Sequence, residues 1–253
     1  MERELKDKIV VITGGACGIG FSIAEKYLQN QVAAVIILDT QQEKGEKSTK
    51  ILNEKYGNKA IFKKCDVTTD LDLIYCEIIN AYKYVDILIN NAGISERDNP
   101  RLTMNVNALA PIEWTLKFRK HMSKENGGKG GTILNMGSLF GIRSSYFGPV
   151  YQASKHALNG FTKAIGHQFN FDNSGVRVIA LCPGFTTTSL VKKYLDEDAE
   201  KNIPSHILEF VRSMKFQSVD AVSNAAVDIF VKAETGTIWV IENNVLLQHE
   251  YEM

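Results

Sequence analysis

The chain has 253 residues, with 44% hydrophobic and 23% charged side chains, which is typical of one large globular α/β domain. Lys+Arg and Asp+Glu both number 29, so no charge excess favours nucleic acid, an anionic membrane surface or another polyelectrolyte as a partner. We therefore expect residues 1–253 to form a single domain.

The N-terminus, the apolar runs and the cysteines indicate a cytoplasmic protein. The first residues, MERELKDK, are charged and lead directly into an apolar strand, so we expect no signal peptide. The longest apolar run, residues 32–38, is too short to span a bilayer. The four cysteines show no CxxC spacing, which predicts reduced thiols and no metal site. These cysteines are Cys17, Cys65, Cys76 and Cys182.

The first segment of the chain predicts a loop that binds a dinucleotide. Residues 8–13, KIVVIT, form an apolar β-branched run, and Gly14-Gly15-Ala16-Cys17-Gly18-Ile19-Gly20 and a helical pattern to about Asn30 follow. A strand, a glycine turn and a helix are the context that a phosphate-binding loop requires. Glycines let the backbone approach a pyrophosphate, which lies at the positive end of the helix.

The second predicted strand, residues 34–38, ends in Asp39, about twenty residues after the glycine turn. A carboxylate at this point accepts hydrogen bonds from the adenosine ribose and repels a 2′-phosphate. Thr40, Gln41 and Gln42 add no arginine that would neutralise such a phosphate. The sequence thus favours NAD over NADP, and a role of Asp39 as a helix cap is compatible with this interpretation.

Strands and helices alternate along the rest of the chain. The further strands are predicted at 61–65, 85–89, 132–137, 176–181 and 237–241, and the helices at 42–56, 69–83, 101–124, 151–169 and 217–232. This alternation predicts a doubly wound parallel sheet of about seven strands with helices on both faces, a Rossmann fold. Residues suited to ligand binding follow the strands, at the edge where open α/β sheets bind ligands. They are Gly14, Asp39, Asp66, Asn90, Ser138 and Pro183.

The predicted helix at 151–169 carries a pair of residues suited to proton transfer. Tyr151 and Lys155 lie one turn apart on the same face. An ammonium close to a phenol favours the phenolate, so we expect the pKa of Tyr151 to lie below its usual value near ~10. A hydroxyl from Ser138 would hold a carbonyl or alcohol oxygen against this tyrosine. The trio predicts proton transfer to or from an alcohol, which is half of an oxidoreductase reaction.

Two segments interrupt the alternation. Residues 185–215 contain two short amphipathic stretches, which predict a lid over a substrate pocket or, alternatively, two helices that only pack on the core. The tail, 242–253, carries apolar residues that would reach a pocket or a partner subunit. Met136, Phe140, Tyr146 and Phe147 are candidates for an apolar pocket wall, although core packing also explains them.

Together these motifs resemble the short-chain dehydrogenase/reductase family over nearly the whole chain. The stretches GGTILNMGS, PVYQASKHAL and PGFTTTSLV are similar both to insect alcohol dehydrogenases and to NAD-linked 15-hydroxyprostaglandin dehydrogenases of that family. The motifs that match in order and spacing are Gly14-xxx-Gly18-Ile19-Gly20, Asn90-Asn91-Ala92-Gly93, Ser138, Tyr151-xxx-Lys155 and Pro183-Gly184.

The resemblance implies four catalytic residues. Tyr151 would be the general base in oxidation and the general acid in reduction, and Lys155 would lower its pKa and hydrogen-bond the nicotinamide ribose. Ser138 would orient the substrate oxygen, and Asn107 would position a water in the proton relay. The family has no catalytic metal.

The resemblance also implies a set of cofactor-binding residues, which includes Tyr151 and Lys155. Cys17 stands where the family more often has a polar residue, so it would alter the phosphate contacts mildly or confer thiol sensitivity. The others are Gly14, Cys17, Gly18, Ile19 and Gly20 at the pyrophosphate, Asp39 at the ribose, Asp66 and Val67 at the adenine, Asn91, Ala92 and Gly93 beside the adjacent cofactor face, and Pro183, Gly184, Phe185, Thr186 and Thr188 around the carboxamide.

The sequence therefore predicts an NAD-dependent alcohol dehydrogenase acting on a lipophilic secondary or primary alcohol. Two alternatives stay open: a nucleotide-binding storage protein of the family without turnover, and an NADPH-dependent carbonyl reductase. By resemblance, a homodimer or a tetramer would form through the helices at 101–124 and 151–169.

Overall fold

The apolar β-branched runs of the sequence form one eight-stranded sheet in the computed structural model, which describes residues 3–95, 99–192, 194–196, 199 and 203–250. The strands are β1 (Ile9–Thr13), β2 (Ala34–Asp39), β3 (Ala60–Lys64), β4 (Ile87–Asn90), β5 (Gly131–Met136), β6 (Val176–Pro183), β7 (Ile238–Glu242) and β8 (Val245–Gln248). Their order is β3-β2-β1-β4-β5-β6-β7-β8, and β1 to β7 run parallel. The order reverses between β1 and β4, where ligands of such sheets bind.

Helices cover both faces of the sheet. Within β1, Val10 and Ile12 pack towards one face and Val11 towards the other, so the central strands are buried on both sides. Among the helices of the described ranges, none has the length and apolarity to cross a membrane. The helices are α1 (Gly18–Gln29), α2 (Gln42–Tyr56), α3 (Leu71–Tyr82), α4 (Pro100–Met104), α5 (Ala110–Met122), α6 (Pro149–Ile165), α7 (Gln168–Ser174), α8 (Ser189–Lys192), α9 (Ser205–Ser213) and α10 (Val219–Lys232).

The predicted fold class is confirmed, and the two long helices are each divided. The helix predicted at 101–124 consists of α4, a π-helical turn (Asn105–Leu109) and α5. The helix predicted at 151–169 ends at Ile165, and α7 begins at Gln168. Between them Gly166 approaches the sheet closely: a Cβ there would lie 2.6 Å from the Val178 carbonyl oxygen.

The tail forms a strand of its own. β8 pairs antiparallel with β7 through a two-residue turn in which Asn243 and Asn244 have φ of 52° and 64°. Such turns require positive φ at both central residues, which asparagine tolerates well. Leu246 packs against the core, whereas Val245 and Leu247 are exposed. Residues 251–253 of the predicted tail lie outside the described residues.

Candidate active site

Glycines shape the loop between β1 and α1. A side chain at these positions would displace the loop backbone or force it into a strained conformation. Gly14 and Gly18 have φ of +65° and +58°. A Cβ on Gly20 would lie 2.2 Å from the Gly14 carbonyl oxygen, and one on Gly14 would lie 2.8 Å from the Cα of Ala92. The loop therefore presents bare backbone at the N-terminus of α1, as a pyrophosphate site requires.

Thr13 ties this loop to the segment after β4. The Thr13 hydroxyl accepts from the N–H groups of Asn91 and Ala92, both at 3.0 Å. The Asn91 side chain donates to the carbonyl oxygens of Thr13 (3.0 Å) and Gly14 (2.9 Å). Sequence reasoning overlooked Thr13, although a β-branched hydroxyl residue directly before the glycine turn is the signal that would have indicated it.

Asp39 is buried at the end of β2, where its carboxylate also organises the glycine loop. One carboxylate oxygen accepts from the Ala16 N–H (3.1 Å) and the other from the Gln41 N–H (3.0 Å). The Ser48 hydroxyl donates to the Ala16 carbonyl oxygen at 2.7 Å, so the Ala16 residue is held from both sides. These contacts fix Asp39 beside the loop that it would serve.

Asp66 and Val67, the residues predicted to bind adenine, follow β3. The Asp66 carboxylate accepts from the N–H and the hydroxyl of Thr68, at 2.9 and 2.6 Å. The Val67 carbonyl accepts from the Trp114 indole at 2.9 Å, which anchors this turn to α5. Cys17 is a half-buried, free thiol at the first turn of α1.

Two connected cavities at the carboxyl edge of the sheet bring the predicted site residues together. The first, the groove, runs from Asp39 to Gly93, and the second, the catalytic cavity, contains Ser138. Ile19, Asn91, Gly93, Thr188 and Leu190 line both. The groove holds Gly14, Cys17, Gly18, Ile19, Gly20, Asp39, Asp66, Val67, Asn91, Ala92, Gly93 and Thr188, and the catalytic cavity holds Ser138, Tyr151, Lys155, Pro183, Gly184, Phe185, Thr186 and Thr188. An elongated groove floored by glycine backbone fits a dinucleotide.

Lys155 is buried under the catalytic cavity. Its side chain donates to the Met136 carbonyl oxygen at 2.8 Å, and its Nζ lies 5.8 Å from the centre of the Tyr151 ring. Burial lowers the pKa of Lys155 to about 8, because the charged form loses its hydration.

The prediction that Lys155 lowers the pKa of Tyr151 is wrong for this structure. Burial raises the pKa of Tyr151, and hydrogen bonding with the Ser138 side chain opposes the rise only in part. The reason is physical: desolvation of the phenol raises its pKa, whereas the Lys155 ammonium hydrogen-bonds a main-chain carbonyl oxygen instead. The helical spacing indicated that the Lys155 ammonium lies near the Tyr151 phenol, but it did not indicate that the phenol loses its hydration.

Asn107 is buried in the π-helical turn, behind Gly93. Its side-chain oxygen accepts from the Ile94 N–H (2.9 Å), and its side-chain nitrogen donates to the Ile94 carbonyl (2.8 Å) and the Ser154 hydroxyl (3.2 Å). A Cβ on Gly93 would lie 3.4 Å from the Asn107 Oδ1 and 3.6 Å from the Lys155 Nζ, so both side chains converge on this glycine. π-helical turns often occur at functional sites.

Asn90, in contrast, does not face either cavity. Its side chain donates to Asn135 Oδ1 (2.8 Å) and to the Thr115 hydroxyl (3.0 Å). Asn135 donates in turn to the Thr162 hydroxyl at 2.9 Å. This buried network joins β4, β5, α5 and α6 below the site, so Asn90 serves the scaffold.

The turn after β6 is supported by Gln217, which the sequence did not single out. The Gln217 side chain donates to the Thr186 hydroxyl (3.3 Å) and the Ile241 carbonyl (2.9 Å), and it accepts from the Asn244 N–H (3.2 Å). The Thr186 hydroxyl donates to the Gly184 carbonyl at 3.0 Å. The turn at 184–187 is thus bonded to β7 and to the β7–β8 hairpin.

The outer wall of the catalytic cavity is aromatic. Phe140 packs edge-on against Phe185 at 5.6 Å, and Phe147 against Tyr194 at 5.6 Å, with Phe210 behind them. Of the four predicted wall residues, Met136, Phe140 and Phe147 line the cavity, whereas Tyr146 is 65% exposed and donates to the His206 carbonyl. Residues 193, 197–198 and 200–202 of the predicted lid lie outside the described residues.

Comparison with protein families agrees with this geometry. A family model described as short chain dehydrogenase matches residues 8–199. The chain belongs to the short-chain dehydrogenase family. It is therefore an oxidoreductase of the family that its motifs resemble, and that prediction is confirmed.

Individual relatives match over most of the chain. The 15-hydroxyprostaglandin dehydrogenase (NAD(+)) of Macaca fascicularis is 37% identical over 79% of this chain and 75% of its own length. Alcohol dehydrogenase 2 of Ceratitis capitata is 30% identical over 96% of this chain and 94% of its own length. Among solved structures, NAD+-bound xylitol dehydrogenase superposes with a TM-score of 0.82 at 20% identity, covering 95% of this chain and 99% of that one, which shows a shared fold.

Proposed function

We propose that the protein is an NAD-dependent dehydrogenase that oxidises an alcohol, preferentially a secondary alcohol on a lipophilic small molecule, to the carbonyl compound. The observation that carries the proposal is one cavity in which Ser138, Tyr151 and Lys155 face an aromatic wall. The polar floor suits proton transfer from an alcohol, and the apolar wall suits a hydrocarbon substituent. The names of two relatives, alcohol dehydrogenase 2 and 15-hydroxyprostaglandin dehydrogenase (NAD(+)), support this chemistry.

The proton transfer assigns one role to each side chain. The Ser138 hydroxyl donates to the substrate oxygen and holds it against Tyr151, which takes the hydroxyl proton as general base. Oxidised NAD held by the groove residues would supply the hydride acceptor for the carbinol carbon, and its positive charge would favour the phenolate of Tyr151. In the reverse direction Tyr151 returns the proton to the carbonyl oxygen.

Asn107 would support the relay through its backbone. Its side chain is already engaged by Ile94 and Ser154. The other acceptor of Asn107 is its backbone carbonyl, which lies in a π-helical turn whose hydrogen bonding departs from that of a regular α-helix. We assign this carbonyl the role of holding the water that connects Lys155 with solvent.

The residues at the adenosine end favour NAD. Asp39 places a carboxylate beside the ribose site, and Thr40, Gln41 and Gln42 supply no arginine for a 2′-phosphate. Lys44, however, donates to the Gln41 side chain at 2.6 Å and so brings a cation to this stretch. An NADPH-dependent carbonyl reductase is therefore the second candidate.

The 185–215 segment would act as the substrate lid. Tyr194 and Leu208 are buried in an apolar cluster with Phe147, Phe185 and Phe210, and this cluster is separate from the main core. Opening such a cluster would expose the catalytic cavity without disturbing the sheet.

A homodimer would form through α4, α5 and α6. Leu109 and Leu116 are exposed seven residues apart, in the π-helical turn and α5. The outward face of the neighbouring α6 carries small residues, which allow close approach of a second helix: Ala153, Ala157, Gly160 and Ala164. Sedimentation of the purified chain tests this state, and a cytoplasmic location stays a prediction.

The deciding experiment measures NADH formation at 340 nm, with NAD or NADP and alcohols from ethanol and 2-propanol to long-chain, isoprenoid and steroid alcohols. We expect turnover with NAD on the lipophilic part of the panel. A clear preference for NADP would favour the reductase. Tight NAD binding without turnover of any alcohol would favour the storage protein.

A further inference from the structure

The row of side chains that begins with Tyr151 and Lys155 continues for one more turn of α6. Asn159 follows Lys155 by four residues, so it lies on the same face of the helix. It is buried, with only 1% of its surface exposed. A buried amide is costly unless its hydrogen bonds are satisfied, so its partners indicate its role.

Those partners lie on both sides of the turn at residues 137–141, which carries Ser138 and is called the Ser138 turn below. The Asn159 Nδ2 donates to the Gly141 carbonyl oxygen at 3.0 Å, at the far end of the turn. It also lies 3.4 Å from the Cys182 Sγ, and that thiol lies 3.5 Å from the Asn159 Oδ1. Asn159 therefore connects the end of the Ser138 turn with β6.

Cys182 completes the connection at the near end of the turn. The Ser138 N–H hydrogen-bonds the Cys182 sulfur, and burial raises the pKa of this thiol to about 11, so it stays neutral. Gly137 is confined by the same pair: a Cβ there would lie 2.5 Å from the Cys182 Sγ and 2.6 Å from the Asn159 Oδ1. The side chains of Asn159 and Cys182 therefore lie directly against the backbone of Gly137, next to Ser138.

We propose that the Asn159–Cys182 pair positions Ser138, so that its hydroxyl meets the substrate oxygen beside Tyr151. Lys155 holds the Met136 carbonyl at the start of this stretch, and Asn159 holds the Gly141 carbonyl at its end. Successive turns of α6 thus carry the general base Tyr151 and the residue Asn159, which fixes the turn that carries Ser138. Asn159 is a positioning residue, and its effect on catalysis rests on the proposed function.

The test is a double-mutant cycle between Asn159→Leu, which keeps the size of the side chain, and Ser138→Ala. We expect Asn159→Leu to lower kcat by about 10- to 100-fold, since small misplacements of a reacting group cost this much. In the Ser138→Ala background the same substitution should cost less than about threefold, because residues that act as a unit are not additive. Full additivity of the two effects would overturn the proposal.

Two further variants separate positioning from general damage to the helix. Thr162→Val removes another buried hydrogen bond of α6, to Asn135, without touching the Ser138 turn, so its kcat should stay near that of the wild type. Cys182→Ser keeps an acceptor for the Ser138 N–H and should retain more activity than Cys182→Ala. A Thr162→Val variant as slow as Asn159→Leu would contradict the proposal.

Amide hydrogen exchange provides a readout that needs no substrate. Asn159→Leu should accelerate exchange at Ser138 and Gly141, whose bonds belong to the clamped turn, and leave the amides of β1 unchanged. Unchanged protection of Ser138 and Gly141 would overturn the positioning role, whatever the enzyme oxidises. Faster exchange in a chain that oxidises no alcohol would instead preserve that role and refute the proposed function.

Discussion

The floor and the outer wall of the catalytic cavity are built by different physical means. On the floor, Ser138 and Lys155 are at most 7% exposed, and the Lys155 side chain is held by a hydrogen bond to the Met136 carbonyl oxygen. On the wall, the 185–215 segment is held by contacts between aromatic rings, such as Phe147 with Tyr194 at 5.6 Å. Hydrogen bonds have direction, whereas apolar contacts chiefly have area and shape.

This difference separates chemistry from selectivity. A substitution on the floor alters the direction of a hydrogen bond or the position of a charge, so it should change the rate for every substrate. A change on the wall alters the volume of an apolar surface, so it should affect large substrates more than small ones. Variants of the two regions therefore test whether this division holds.

The largest effect is expected at Tyr151. Tyr151→Phe removes the hydroxyl that accepts the substrate proton, so kcat should fall by about 100- to 10,000-fold for every alcohol of the panel. Tyr146→Phe is the matched control, because that exposed hydroxyl contacts only the His206 carbonyl among the hydrogen bonds described. Equal rates for Tyr151→Phe and the wild type would refute the mechanism.

The next effect is expected in the glycine loop. A Cβ at residue 20 would lie 2.2 Å from the Gly14 carbonyl oxygen and 2.5 Å from the Asn91 Nδ2, so Gly20→Ala must displace the loop from Asn91. We expect the Kd for NADH, followed by its fluorescence, to rise at least about tenfold, or about 1.4 kcal/mol. Ser138→Ala, outside the expected cofactor-binding set, should bind NADH nearly as well as the wild type and so separates binding from turnover.

The third effect is a pH dependence of stability caused by Lys155. Burial lowers its pKa from 10.5 to about 8, a cost of roughly 3 kcal/mol below pH 8. Between pH 8 and 10.5 the unfolded state binds more protons at this residue, so this contribution makes the wild type more stable as the pH rises. Lys155→Met lacks the buried charge but also loses the bond to Met136.

Urea unfolding of both chains between pH 7 and 10.5 measures this contribution. The stability of Lys155→Met relative to the wild type should be highest near pH 7 and decline as the pH passes 8. A difference that does not change with pH would show that the folded protein imposes no cost on the lysine charge. The pH-dependent part of this difference would also measure the free energy of unfolding that is lost by burying the Lys155 charge in the catalytic floor.

The smallest effect is expected on the wall. Phe147→Leu removes part of the ring surface next to Phe140 and Tyr194, so KM for bulky alcohols should rise by about tenfold while 2-propanol is little affected. Phe169→Leu, on an exposed phenylalanine of α7, is the matched control. A similar loss for small and large alcohols would contradict the division between floor and wall.

Much of this structure was predictable because it depends on local geometry. Runs such as residues 8–13 predicted strands, since apolar β-branched residues fit a buried sheet. The spacing of Tyr151 and Lys155 predicted a shared helix face, since residues four apart always meet there. For the same reason the place of Asn159 on that face was available in the sequence, but nothing local indicated that its amide is buried.

Other features depend on which distant segments meet, and only the tertiary structure decided them. The sequence did not indicate that Cys182 lies under Ser138, that Thr13 bonds the segment after β4, or that the tail supplies an eighth strand. It also predicted the wrong direction for the pKa of Tyr151, because desolvation depends on everything that surrounds the phenol. The sequence by itself thus determined the fold class and the set of chemical groups. Long-range packing decided how each group is buried and held.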